Sequence, residues 1–188
     1  ASDGVTGLAL TPRMNWTLAT ALANDPDGLL TDLDILAAVA LQVTGQAAID
    51  IGNGALVATV TGVELNLATM DVTDGTTTLT GADILSFTGT ASLFAGVGGS
   101  LNGAHTAVVN GTIGFAVNSV SLSLVSATGA LTDGANAGDS YVGVSVALSD
   151  AQLIGVSGFE LYASGTLKLN SASDGVTGLA LTPRMNWT

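Results

Sequence analysis

From Phe159 to Asn170 apolar and polar residues change places at every step. Phe159, Leu161, Ala163, Gly165, Leu167 and Leu169 alternate with Glu160, Tyr162, Ser164, Thr166, Lys168 and Asn170. A two-residue period is that of an extended strand, with one face turned to a core and the other to water. Val142, Val144, Val146 and Leu148 repeat it, as do Val63, Leu65 and Leu67, and Val120, Leu122 and Leu124. Near Asn118 the apolar phase slips from Phe115 and Val117 to Val120, which predicts a bulge, bend or corner. Thr31 to Val43 is open to two readings. Leu33, Ile35, Val39, Leu41 and Val43 alternate, yet Thr31 can cap a helix whose first turn holds Asp32 and Asp34. Strand-like neighbours on both sides favour strand.

Composition agrees with strands and turns. Charged residues make up 10% of the chain, against roughly 25% in ordinary soluble domains, so the signature of disorder is absent. Residues 84–132 carry no Asp, Glu, Lys or Arg, but Gly, Ser, Thr and Asn interrupt them throughout, so no transmembrane helix is expected. Asp and Glu total 15 against 3 Lys and Arg, for a net charge of −12. With no basic patch to neutralise phosphates, nucleic acid and anionic membrane surfaces are poor partners. There is no Cys, hence no disulfide, zinc-thiolate site or thiol nucleophile.

Residues 1–17, ASDGVTGLALTPRMNWT, return unchanged as residues 172–188. Independent segments do not converge on identity of that length, so a tandem array is expected, with residues 1–171 as one repeat unit and 172–188 as the start of the next. The start at Ala1 without a signal-peptide pattern suits an internal piece. Within the period a fainter motif of a bulky apolar residue, then Thr, Ser or Asn, then Gly recurs. It is found at Val5-Thr6-Gly7, Val43-Thr44-Gly45, Val60-Thr61-Gly62, Phe87-Thr88-Gly89, Val109-Asn110-Gly111 and Val156-Ser157-Gly158. The match of VTGVEL around Glu64 with VSGFEL around Glu160 reads as an old duplication of a strand unit. The expected fold is all-β, a β-solenoid-like stacked repeat unit. The irregular spacing of the Gly motifs keeps a β-sandwich with long antiparallel strands as the alternative.

The most specific chemistry is calcium binding. Asn24-Asp25-Pro26-Asp27-Gly28 followed by Asp32 and Asp34 clusters hard oxygen ligands around a tight turn. Asp25, Asp27, Asp32 and Asp34 are therefore candidate metal ligands. Asp71 and Asp74, and Asp133 with Asn136 and Asp139, form weaker loops of the same kind. The competing reading is that turns simply prefer Asp, Asn and Gly. Catalysis is not expected: His105 is the sole histidine, in a Gly-rich loop, and phosphate-cradling, dinucleotide and zinc-protease motifs are missing. Asn15-Trp16-Thr17 and Asn110-Gly111-Thr112 match glycosylation sequons.

Exact long repeats, absent Cys, Asp over Glu, and strands of the VTGVELNLA and VSGFELYASGTLKLN kind resemble the giant tandem-repeat surface proteins and adhesins of bacteria. The resemblance implies an extracellular or cell-surface fibre or stalk, commonly calcium-stabilised. The sequence departs from the calcium-binding nonapeptide class, since Gly98-Gly99 is followed by Ser100-Leu101 with no Asp. The expected function is a structural repeat module that stacks copies into a rod or filament. Its partners would be adjacent copies, neighbouring filaments or a cell surface. The alternative is a calcium-stabilised adhesin domain that itself binds a cell, glycan or other surface. The duplicated segment holds the period's only Trp and Arg, which marks it as a junction.

Overall fold

A computed structural model describes residues 13–187 of the chain. After a single helical turn, α1 (Trp16–Ala19), the chain is built from strands: β1 (Val39–Ile51), β2 (Leu56–Thr73), β3 (Thr78–Val97), β4 (Ser100–Leu101), β5 (Val108–Val109), β6 (Ile113–Thr128), β7 (Ser140–Ile154) and β8 (Tyr162–Ser173). The six long strands form one open antiparallel sheet in the order β1-β2-β3-β6-β7-β8, and β4 pairs only with β5. The protein is all-β, as its alternation requires. Each long strand pairs with the long strand before it in the chain, so one copy is a meander. Among the described residues it displays neither stacked solenoid coils nor a second large sheet.

Short turns set the meander. Between β1 and β2 the chain reverses through Gly52, Asn53 and Gly54, all at positive φ, and Asp50 Oδ1 accepts from the Gly54 amide at 2.7 Å. Between β2 and β3, Asp74 Oδ1 accepts from the amides of Thr76 and Thr77 at 2.8 and 2.7 Å, an Asx turn. The phase slip expected near Asn118 is present: opposite Ala91 and Leu93 stand Val120 and Val117, so β6 holds one extra residue. Similar insertions lie in β2, beside Gly62, and in β7, beside Asp150, both at positive φ. Those of β6 and β7 share one height, whereas that of β2 faces Thr88 to Thr90, earlier along β3.

The register separates two chemically unlike faces. Successive rows of one face read Leu41, Leu67, Leu85, Ser126, Val142, Ser171, and Val43, Leu65, Phe87, Leu124, Val144, Leu169. They continue to Ile51, Leu56, Ala95, Phe115 and Leu153 at the far end, with no charged residue on the way. The opposite face is polar in its middle, with Gln42, Asn66, Ser86, Val125, Gly143 and Asn170 in one row and Thr44, Glu64, Thr88, Ser123, Ser145 and Lys168 in the next. Glu64 there accepts from Gln42 and Asn66 at 3.0 and 2.9 Å, and these bonds, Asn66 first, hold its carboxyl below its ordinary value.

Several expectations are corrected. Residues 31–38 form neither strand nor helix, and the strand begins only at Val39. Phe159 and Leu161 precede β8 rather than belonging to it, and the odd positions of β8 are not a buried face, Leu167 being 65% exposed. The Gly motifs do not share one role. Gly62 sits at a bulge, Gly89 lies in regular strand, Gly158 is in a loop, and Val5 to Gly7 falls outside the described residues. Glu64 is in β2 whereas Glu160 is in the loop before β8, so the two Glu segments are not structural equivalents.

Candidate interface between copies

Most buried residues gather at the two ends of the polar face, while Val117 and Ala151 are buried beside the bulges on the apolar one. At one end Val57, Phe94 and Ala116 share a row across β2, β3 and β6, each fully buried, and the β3–β6 connection covers them. Glycine makes this fit. A Cβ at Gly114 would run into the Ala95 carbonyl oxygen and stand 2.8 Å from the Phe94 ring, and one at Gly96 would meet the Ile113 carbonyl oxygen and the same ring.

At the other end Leu79, Ala82, Ala127, Tyr141 and Ala172 form a core completed by Met185, with Leu181 and Trp187 packed against it. Met185 and its neighbours belong to the second copy of the duplicated segment. After β8 the chain turns back through Asp174, whose Oδ1 accepts from the amides of Val176 and Thr177 at 3.0 and 2.6 Å and from the Thr177 hydroxyl at 2.8 Å. The Leu181 amide then donates to the Ala172 carbonyl at 2.9 Å. Asn170 donates to the Met185 carbonyl at 2.7 Å and accepts from the Trp187 indole at 3.3 Å. The indole lies over Gly143, where a Cβ would stand 2.8 Å from its Nε1. Asp74 Oδ2 accepts from the Asn186 amide at 2.7 Å. The segment therefore spans the end of the sheet as a clasp.

Backbone donors lower both clasp carboxylates. For Asp74 the amide of Thr77 is the largest cause, followed by those of Asn186 and Thr76. For Asp174 it is the Thr177 amide, then the Thr177 hydroxyl. Tyr141 is pushed up by burial first, then by Asp139, Asp74 and Asp133.

The acids singled out from the sequence are mostly loop locks. Asp25 Oδ1 accepts from the Leu29 amide at 3.2 Å and its Oδ2 from the Leu30 amide at 2.7 Å. Asp34 accepts from the Thr17 hydroxyl at 3.1 Å, and Asp27 and Asp32 are exposed. Asp71 accepts from the Gly81 amide, Asp133 from the Thr80 amide and Asp139 from the Gly175 amide. Among the described residues no three acids or histidines converge as a metal-holding group. His105 is exposed in a turn at positive φ. Sequence reasoning missed Tyr141, Gly143 and Asn170 as clasp residues, since nothing local marks a residue that a segment from 15 to 45 positions away will cover.

The first copy of the segment has different surroundings. Arg13 Nη1 donates to the Ala38 carbonyl at 3.4 Å and to the Thr69 hydroxyl at 3.3 Å, and Asn15 caps α1 by accepting from the Leu18 amide at 3.1 Å. Met14 is 57% exposed and Trp16 38% exposed, against 1% for Met185. One sequence thus occupies two environments. Compared with family models, with curated proteins and with solved structures, the chain finds no match.

Proposed function

We propose that the chain is a structural repeat module of a long extracellular or cell-surface protein, whose successive copies pack on one another to form a rod or filament. The observation that carries this reading is the apolar face, uncharged from the Leu85 row to the Ala95 row, which the described residues leave largely open. Six strands about 4.8 Å apart and about 11 residues tall give it roughly 1,000 Å², more than the few hundred Å² a monomer ordinarily exposes and comparable with one side of a stable protein interface. Both sheet edges, β1 and β8, are also open. An even number of strands makes β8 antiparallel to β1, so the β1 of a following copy can join β8 and continue the same meander. No reaction is assigned to the module, and a calcium role for Asp25, Asp27, Asp32 and Asp34 rests on composition alone.

The same face favours a second reading. A sheet apolar on one side, and rich in Ser, Thr, Asn and Gln on the other, matches the wall of a membrane β-barrel. Among the described residues no helix is long and apolar enough to cross a bilayer, which leaves strands untouched. Electron microscopy of a chain of several copies, with flotation on phosphatidylcholine vesicles in parallel, separates the two. A continuous rod that stays with the aqueous fraction supports copy-on-copy packing. Separate beads without association oppose it, and flotation with vesicles favours the membrane reading.

A further inference from the structure

The two environments of the duplicated segment are complementary. Where it precedes a sheet, it is held by the Arg13 guanidinium, the Asn15 side chain, the Trp16 amide, which donates to the Ile35 carbonyl at 2.9 Å, and the Thr17 hydroxyl. Its Met14 and Trp16 side chains remain exposed. Where it follows a sheet, it is held by the side chains of Met185 and Trp187, the Asn186 amide and the Met185 carbonyl. The contacts named for the two settings fall on different groups of the segment.

We infer that in an array each junction segment serves two copies at once, its Arg, Asn and Thr side chains anchoring it to the sheet that follows while its Met and Trp side chains complete the core of the sheet that precedes. This rests on the repeat-module reading and names its interface. The partner surface is the end of the polar face formed by Leu79, Ala82, Ala127, Tyr141, Gly143 and Asn170, and its occupant is residues 3–16 of the next copy, identical in sequence to the residues 174–187 seated there. The cooperative unit is consequently out of phase with the sequence period. It closes only when the first segment of the next copy is present.

The full 188-residue chain tests this without an array, because it contains the segment in both settings. Met185→Ala should lower Tm by roughly 5–10 °C, as for removal of a buried Met side chain from a chain of this size. Met14→Ala should leave Tm within about 1 °C. Trp16→Phe leaves only the Trp187 indole to report, and Trp187→Phe only that of Trp16. The first variant should emit further to the blue and resist acrylamide quenching more than the second. Equal Tm losses at the two Met positions, or equal quenching of the two indoles, would overturn the assignment. Should Met185→Ala fail to fold, Met185→Leu and the two Trp variants carry the comparison. A rod seen by microscopy with symmetric Met effects would refute this inference alone, and asymmetric effects without a rod would refute only the assembly.

Discussion

Met14 and Met185 are one residue of one repeated sentence, and only tertiary surroundings tell them apart. Single atoms decide such matters elsewhere too. Gly114→Ala places a methyl against the Ala95 carbonyl and the Phe94 ring, and overpacking of this kind costs about 1–3 kcal/mol. Gly103 faces open space, so Gly103→Ala should stay within about 0.5 kcal/mol when both variants are compared by urea titration. Asp74 supplies a pH signature. Its folded pKa is lowered by the Thr77, Asn186 and Thr76 amides, so its contribution is fully present above the ordinary carboxylate value and is lost as pH falls through the lowered one. In a Trp16→Phe background, Trp187 emission should shift to the red on acidification over that range. Asp74→Asn should weaken the clasp at neutral pH and flatten the shift, and an unaltered acid transition in this variant would remove Asp74 from the clasp.

At the scale of elements, the strands were legible and their ends were not. Alternation of Val142 to Leu148, Val63 to Leu67 and Val120 to Leu124 marked β7, β2 and β6, because a two-residue period admits little else. The slip near Asn118 was readable for the same reason. Leu33 and Ile35 alternate just as well but form no strand, since β1 pairs with β2 only from Val39 onward. A junction segment could act by pairing with an open strand edge. The segment instead covers one end of a face, with only Ser173 and Ala180 bridging beside β8. The resulting prediction concerns packing rather than pairing. Gly143→Val should eject the indole, making Trp187 as quenchable as a surface tryptophan while leaving the sheet's circular dichroism unchanged.

Among the described residues the six long strands form a single-layer sheet with one apolar face. Val144 lies in the row of Leu65, Phe87, Leu124 and Leu169, so Val144→Lys should impair association of copies, read as a smaller mass by light scattering. Ser145 points to the polar face of the same strand, and Ser145→Lys should not have this effect. Equal behaviour of the two variants would deny that face a role in assembly. Depositing a lysine in the middle of a sheet-on-sheet contact buries an unpaired charge, which is why the effect should be large.

Sequence alone determined the all-β class, the alternation of several strands, the duplicated segment and the mid-sheet bulge, because each follows from local period, identity or backbone preference. Tertiary structure decided what those faces meet. Whether an alternating strand is buried depends on what lies opposite: the Leu167 side chain stays 65% exposed while the Ala127 end meets Met185. The candidate interface was visible in the sequence only as a cluster of rare Trp, Arg and Met residues. Its function as a clasp depends on long-range register, which places Asp74, Tyr141, Gly143 and Asn170 under one returning segment.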